Sequence, residues 1–340
     1  MIGYGIDDLQ LVGWLSAAVA TIPLVGFAIG GIRNPVAARV AAWSLVLGSV
    51  ISVERLSVSE PAGTRMLLII LPLLWSMKSV VLVETNIRRA DSGGFRLPFV
   101  NWMLFAIFWF GMRPELFLNL TKKRHSDWFV FVRQGLICIL LGIALCALAQ
   151  TVWYGALQGW IGDETRRLLV TGMLLLGLSL MIHFGLFNVL TGAWRYRGVR
   201  VSALFRAPLL SQSLAEFWGK RWNLAFSEMT AISVFRPVKK LLAKSRFGHA
   251  VATILSFIFS GLLHELAISV PVQSGFGLPM LYFALHAIGM QLERYIHQSK
   301  FNFLAGKLAG RLWTSIWVIA PLPILFHFAF LKGCVWPILG

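Results

Sequence analysis

HAVATILSFIFSGLLHELAISV fills positions 249–270, and its reading decides the fold. A membrane-spanning helix needs about 20 predominantly apolar residues, and this stretch supplies them. Within it Thr253, Ser256, Ser260 and His264 fall at offsets 0, 3, 7 and 11, along one face of a helix. An ionisable residue in lipid is costly and marks a functional position by default. The stripe must therefore face protein or a water-filled cavity. On the stripe alone, His264 reads equally as a bundle histidine bonded to a neighbouring helix and as a working imidazole. Glu265 is one residue further, about 100° round the helix, and so is a poor orienter for His264.

Elsewhere along the chain the same criterion finds seven more spans, near 11–32, 36–53, 66–83, 128–150, 168–193, 279–293 and 312–332. Pro98–Met112 is apolar but short, and reads as a re-entrant or interfacial segment shielded by protein. Composition agrees. The 340 residues are 57% hydrophobic and 13% charged, with mean hydropathy +0.74, whereas a soluble domain carries about 25% charged residues. The expected fold is all-α: a polytopic transmembrane helical bundle of about eight spans plus re-entrant or interfacial helices. No repeat, low-complexity tract or composition break divides it, so residues 1–340 read as a single integral-membrane domain.

The net charge of +17 is explained by its placement. Basic residues gather in connections holding Arg88, Arg89 and Arg96; Arg113, Lys122, Lys123 and Arg124; Arg195 through Arg246; and Arg294 through Arg311, with Arg33 and Arg39 after the first span. The opposite connections hold few. With eight alternating spans, all the basic loops fall on one side, which the positive-inside rule makes cytoplasmic. Both termini are then expected outside. Lysines and arginines beside spans meet anionic headgroups, so membrane lipids are their expected partners and nucleic acid is not. Asp7 and Asp8 precede the first span in place of a basic n-region, against a cleaved signal. Cys138, Cys146 and Cys334 form neither a disulfide framework nor a metal spacing.

Other polar residues join the picture. His286 and Glu293 lie seven apart on one face of the next span, structural or lining the same cavity as Ser260 and Glu265. Lys78 lies close enough to a span end to snorkel. SLAEFWGKRWNLAFSEMT (213–230) reads as one amphipathic interfacial helix. Its apolar stripe would be Leu214, Trp218, Trp222, Ala225 and Met229; its polar stripe would be Glu216, Lys220, Asn223, Ser227 and Thr230. Gly219 weakens that helix by about 1 kcal/mol relative to alanine.

At these two stretches the sequence resembles the membrane-bound O-acyltransferases, and within them the wax synthase-like branch. FWGKRWN (217–223) looks like that branch's Phe-Trp-Gly, two basic residues, then Trp; SGLLHEL (260–266) looks like its intramembrane histidine motif. WSMKSVVL and FWFGMRPELF (108–117) are weaker echoes, the second with Phe110 where the family often has the proline of Pro-Gly-Met. The likeness runs from Ser213 to about Glu293 and is thin over the first 95 residues.

The resemblance implies that Asn223 and His264 are the signature pair. In the wax synthase branch it implies fatty acyl-CoA and a fatty alcohol as substrates; the wider superfamily also acylates sterols, glycans, peptides and small natural products. Acyl transfer needs a base for the hydroxyl proton and a donor for the oxyanion. His264 suits the first task and Asn223 the second. No Gly-x-Ser-x-Gly elbow or motif cysteine offers a nucleophile, so direct transfer is expected. Acyl-CoA enters as co-substrate, with no resident cofactor or metal expected. Lys220 and Arg221, flanked by Trp218 and Trp222, are the acyl-CoA-binding candidates, interfacial lipid anchoring being their alternative. A secondary transporter or channel with an intramembrane His/Glu proton relay is the main rival. A di-iron desaturase needs histidine boxes, whereas these seven histidines are scattered.

Overall fold

The computed structural model describes residues 3–90, 95–120, 123–155, 159–299 and 303–340. Lys122 of the basic connections lies outside them. The described residues form helices and connecting loops. Ten helices carry the architecture: α1 Leu9–Gly30, α2 Pro35–Leu56, α3 Ala62–Arg89, α4 Phe99–Phe108, α5 Trp128–Trp153, α6 Asp163–Tyr196, α7 Leu224–Thr230, α8 Gly248–Val272, α9 Leu278–Gln298 and α10 Lys307–Ile319. Seven segments are long and apolar enough to cross a membrane: α1, α2, α3, α5, α6, α8, and α10 continued to Leu325. The chain is thus a multi-pass integral membrane protein. The eighth expected span is α9, whose 21 residues pack along α8. Its C-terminal half carries Gln291, Glu293 and Arg294, which makes it too polar to count as a crossing segment by apolarity alone.

The helix starts follow local chemistry. Asp8 caps α1 by accepting from the Leu11 amide, and Asn34 caps α2 just before a proline at its first position. α3 is the hub. Two-thirds of its most apolar window is buried (67%), against 44% or less in the other crossing segments. α5 and α6 approach closely because glycine faces backbone: a Cβ on Gly135 would meet the Gly185 carbonyl at 2.7 Å, and one on Gly142 the Gly177 carbonyl at 2.6 Å. Small residues at such a seam let backbones pack where lipid gives no hydrophobic drive.

Two expectations need correction. The span 312–332 is not one helix: α10 ends at Ile319, Leu322–Leu325 makes a short turn, and His327 is extended before a shorter apolar helix at Phe328–Leu339. Pro321 and Pro323 remove two amide donors there, which ends the ladder. Lys78 does not snorkel either. It is fully buried in α3, and its Nζ donates to the carbonyls of Phe105 (2.9 Å), Trp109 (2.5 Å) and Gly111 (3.2 Å). Those carbonyls belong to the C-terminal turn of the short helix α4 and the loop beyond it. A buried ammonium thus satisfies an irregular backbone that lipid could not.

Candidate active site

The stretch 213–230 is not one helix. Leu214–Glu216 is α-helical and Phe217–Arg221 is a π turn; then Trp222 is extended and Asn223 is left-handed at φ 43° and ψ 64°. Asparagine is among the few residues that tolerate this region. It also caps α7, its Oδ1 accepting from the Phe226 amide at 3.2 Å as that helix begins. The break dissolves the two expected stripes. Trp222 stacks against Phe217 at 5.6 Å and meets Phe205 edge-on at 4.9 Å. Trp218 packs among Phe257, Phe283 and His286. Both tryptophans therefore serve the interior wall, not an interfacial face.

The basic pair divides. Lys220 is exposed and makes no hydrogen bond or close ion pair among the described residues, its charge acting on Glu216 only through space. Arg221 is engaged: Nε donates to Glu216 at 2.7 Å, and the guanidinium also reaches the Arg206 and Ala207 carbonyls. The Gln212 amide, then Arg221, hold the Glu216 carboxyl below its usual pKa. Arg221 ties the motif to the preceding loop.

α8 presents the histidine. Thr253, Ser256 and Ser260 each donate to the carbonyl four residues back, so the hydroxyl stripe is satisfied within its own helix. Ser260 therefore does not line a cavity with a free hydroxyl. Its carbonyl, however, lies 2.7 Å from His264 Nδ1. A carbonyl only accepts, so Nδ1 carries the hydrogen and Nε2 keeps its lone pair. Nε2 has no partner among the described residues. The half-buried ring lies between Phe226 of α7 at 5.3 Å and Phe283 of α9 at 4.3 Å.

Asn223 and His264 thereby meet through one residue. Asn223 fixes the Phe226 amide, and the Phe226 ring flanks the imidazole. With its Oδ1 used in the cap, the Asn223 Nδ2 group remains a donor without a partner among the described residues.

The cavity-lining candidates have other tasks. Glu265 turns from His264 and accepts from the Gly277 and Met280 amides at 2.8 and 3.1 Å, capping α9. Glu293 accepts from the Leu214 amide at 2.7 Å. His286 is fully buried, bonds through Nδ1 to the Tyr282 carbonyl at 2.8 Å, and faces Trp218 at 5.2 Å. Their shared face, legible in the sequence, docks residues 214–218 onto α9.

Four contributors escape sequence reading. Phe226 and Phe283 are ordinary apolar residues until the fold places them on the imidazole. His183, in a π turn of α6, stacks on Phe205 at 4.5 Å and lies 5.5 Å from Trp222. Glu228 of α7 pairs with Arg113 at 2.7 Å, so the loop pinned by Lys78 is clasped to the helix that Asn223 starts. Burial raises the Glu228 pKa, and Arg113 opposes it. Phe110, at the departure from Pro-Gly-Met, fills a contact with Phe187 at 4.6 Å.

Residues 201–285 match the Membrane bound O-acyl transferase family. Both Asn223 and His264 fall inside the matched segment. The chain is 37% identical over 71 residues to a "Long-chain-alcohol O-fatty-acyltransferase" of Simmondsia chinensis, covering 20% of each protein. It is 32% identical over 156 residues to a "Probable long-chain-alcohol O-fatty-acyltransferase 1" of Arabidopsis thaliana, covering 45% of this chain and 41% of that one. An "Acyl-CoA--sterol O-acyltransferase 1" of the same plant is 34% identical over 64 residues, 18% of this chain and 19% of the relative. The chain thus spans between 19% and 41% of the length of these curated relatives. The resemblance read from the two motifs stands on the same part of the chain.

Proposed function

We propose that this chain is a membrane-embedded O-acyltransferase that joins an acyl group from acyl-CoA to a lipidic alcohol, forming an ester. The observation that carries the proposal is the His264 tautomer. Nδ1 is held by the Ser260 carbonyl, which leaves Nε2 as a proton acceptor on a ring set between Phe226 and Phe283 and joined through Phe226 to Asn223. The names of the relatives support alcohol and sterol acceptors, and the aromatic surroundings favour a lipidic one.

In this reading His264 Nε2 takes the proton of the acceptor hydroxyl as its oxygen attacks the thioester carbonyl carbon. Asn223 Nδ2 donates to the oxyanion of the tetrahedral intermediate. The C–S bond then breaks, and the thiolate of CoA recovers the proton from His264. Ester and free CoA thiol are the products. Lys220, exposed beside the motif, is the cation for the CoA phosphates, while Arg221 shapes the loop that carries it. The basic connections are assigned to the cytoplasm, where CoA is found, and both termini to the opposite side.

The transporter reading is less favoured. Glu265 Oε1 and Glu293 Oε2 each accept backbone amides at a helix start, which ties both side chains to the backbone, and the relatives' names are those of acyltransferases. The test is direct. Purified protein is incubated with labelled acetyl-CoA or long-chain acyl-CoA and a panel of primary alcohols and sterols, and products are identified by mass. Ester formation dependent on both substrates is expected; no ester from any pair, with properly folded protein, removes the reading.

A further inference from the structure

Two polar atoms near the imidazole are enclosed and unpartnered among the described residues: Trp218 Nε1 and His286 Nε2. Their rings lie 5.2 Å apart at 90°. Buried polar groups in native proteins nearly always find a partner, so a pair of orphans on adjacent rings calls for a ligand atom. The chemistry of the pair is defined. An indole Nε1 can only donate. His286 Nδ1 gives its hydrogen to the Tyr282 carbonyl, so the neutral ring presents a lone pair at Nε2. The nearest carboxylate on its own helix face, Glu293, is bound to the Leu214 amide. A charged imidazolium would therefore be buried without a counter-charge.

One donor beside one acceptor is complementary to a hydroxyl, which both accepts and donates. A carbonyl would leave His286 unmet, and an ammonium would leave Trp218 unmet. Phe283 separates this pair from the base: its ring lies 5.6 Å from Trp218 and 4.3 Å from His264. Phe283 and His286 also occupy one face of α9, three residues apart.

We propose that Trp218 and His286 form a hydroxyl-binding subsite, one ring away from His264, that receives the acceptor alcohol before acyl transfer. The proposal rests on the ester-forming function proposed above. A water molecule offers the same hydrogen bonds, so the experiment must separate water from alcohol. It must also be readable without turnover.

The variants are Trp218→Phe, which keeps an aromatic ring and removes the N–H, His286→Gln, and His286→Phe. Each is checked by size exclusion in detergent. Binding of tritiated 1-hexadecanol is measured in competition with unlabelled 1-hexadecanol or with hexadecane, which lacks the hydroxyl. The parent protein should prefer the alcohol. Trp218→Phe and His286→Phe should each lose about 2- to 10-fold of that preference, the worth of one neutral hydrogen bond, and His286→Gln should restore part of it.

In the ester assay with palmitoyl-CoA, KM for hexadecanol should rise by the same factor while KM for palmitoyl-CoA holds. If His286→Phe does not fold, Trp218→Phe and His286→Gln carry both measurements. An unchanged alcohol preference, with altered thermal stability alone, means that the pair holds a water and overturns the subsite. Failure of the underlying function shows itself separately, as an absence of ester from the parent protein.

Discussion

Lys78→Met removes the ammonium that holds the loop after α4 and replaces it with an apolar chain of similar length. Three carbonyls, of Phe105, Trp109 and Gly111, lose a charged donor. A buried acceptor left without its partner costs about 1–3 kcal/mol, so three set an upper bound of about 9 kcal/mol. Relief of the buried charge, several kcal/mol for an ion, offsets much of this. A net loss of about 2–4 kcal/mol is expected. An exposed or snorkelling lysine would give a change within about 0.5 kcal/mol, so the two pictures separate cleanly. Thermal unfolding in a single detergent measures the stability. Chymotryptic cleavage between Trp109 and Phe110 reports the loop itself, and should accelerate in the variant. The loop also pairs with α7 through Arg113 and Glu228, so turnover should fall with it. Parent-like unfolding together with unchanged cleavage would refute the pin.

Asn223→Asp keeps the capping oxygen and a residue tolerant of left-handed backbone, but loses the Nδ2 donor; it should fold normally and lose turnover by about 10²–10³-fold, the scale of one oxyanion donor. Normal turnover would confine Asn223 to its cap. Lys220→Gln should raise KM for acyl-CoA with the protein intact, whereas Arg221→Gln should lower thermal stability because its guanidinium bonds Glu216; the opposite division would reverse their assigned roles. A reporter fused near Ser202 should read cytoplasmic and one near Ser274 external; agreement between the two would mean that α8 does not cross.

Much of the fold was legible because a membrane crossing is a demand on length and apolarity, both visible in a linear sequence. The polar stripe ending at His264 was legible for the same reason, since regular helical spacing holds through 253–264. The rest depended on departures from that spacing. A π turn at 217–221 and a left-handed Asn223 broke the stripes projected across 213–230, and hydropathy does not signal either. Lys78 looked like a snorkelling residue because its partners are backbone carbonyls 27 to 33 positions away, and no side-chain pattern announces a carbonyl. Glu265 and Glu293 could be read as cavity carboxylates, Glu293 equally as a structural one. Their capping of α9 and of Leu214 comes from tertiary docking, which places a helix start against each. The site's aromatic walls, Phe226 and Phe283, carry no local mark in a chain this rich in phenylalanine.

The most direct test of the proposed chemistry is the ester-forming rate of His264→Ala beside the parent protein, with both substrates saturating. The substitution removes the only Nε2 lone pair placed between Phe226 and Phe283 among the described residues, while alanine preserves the helix and leaves no buried charge. General-base catalysis contributes about 10²–10⁴-fold. A fall of that order, with detergent extraction and size-exclusion behaviour matching the parent, is the expected result. A near-normal rate in the folded variant would contradict it and return His264 to a packing role in α8.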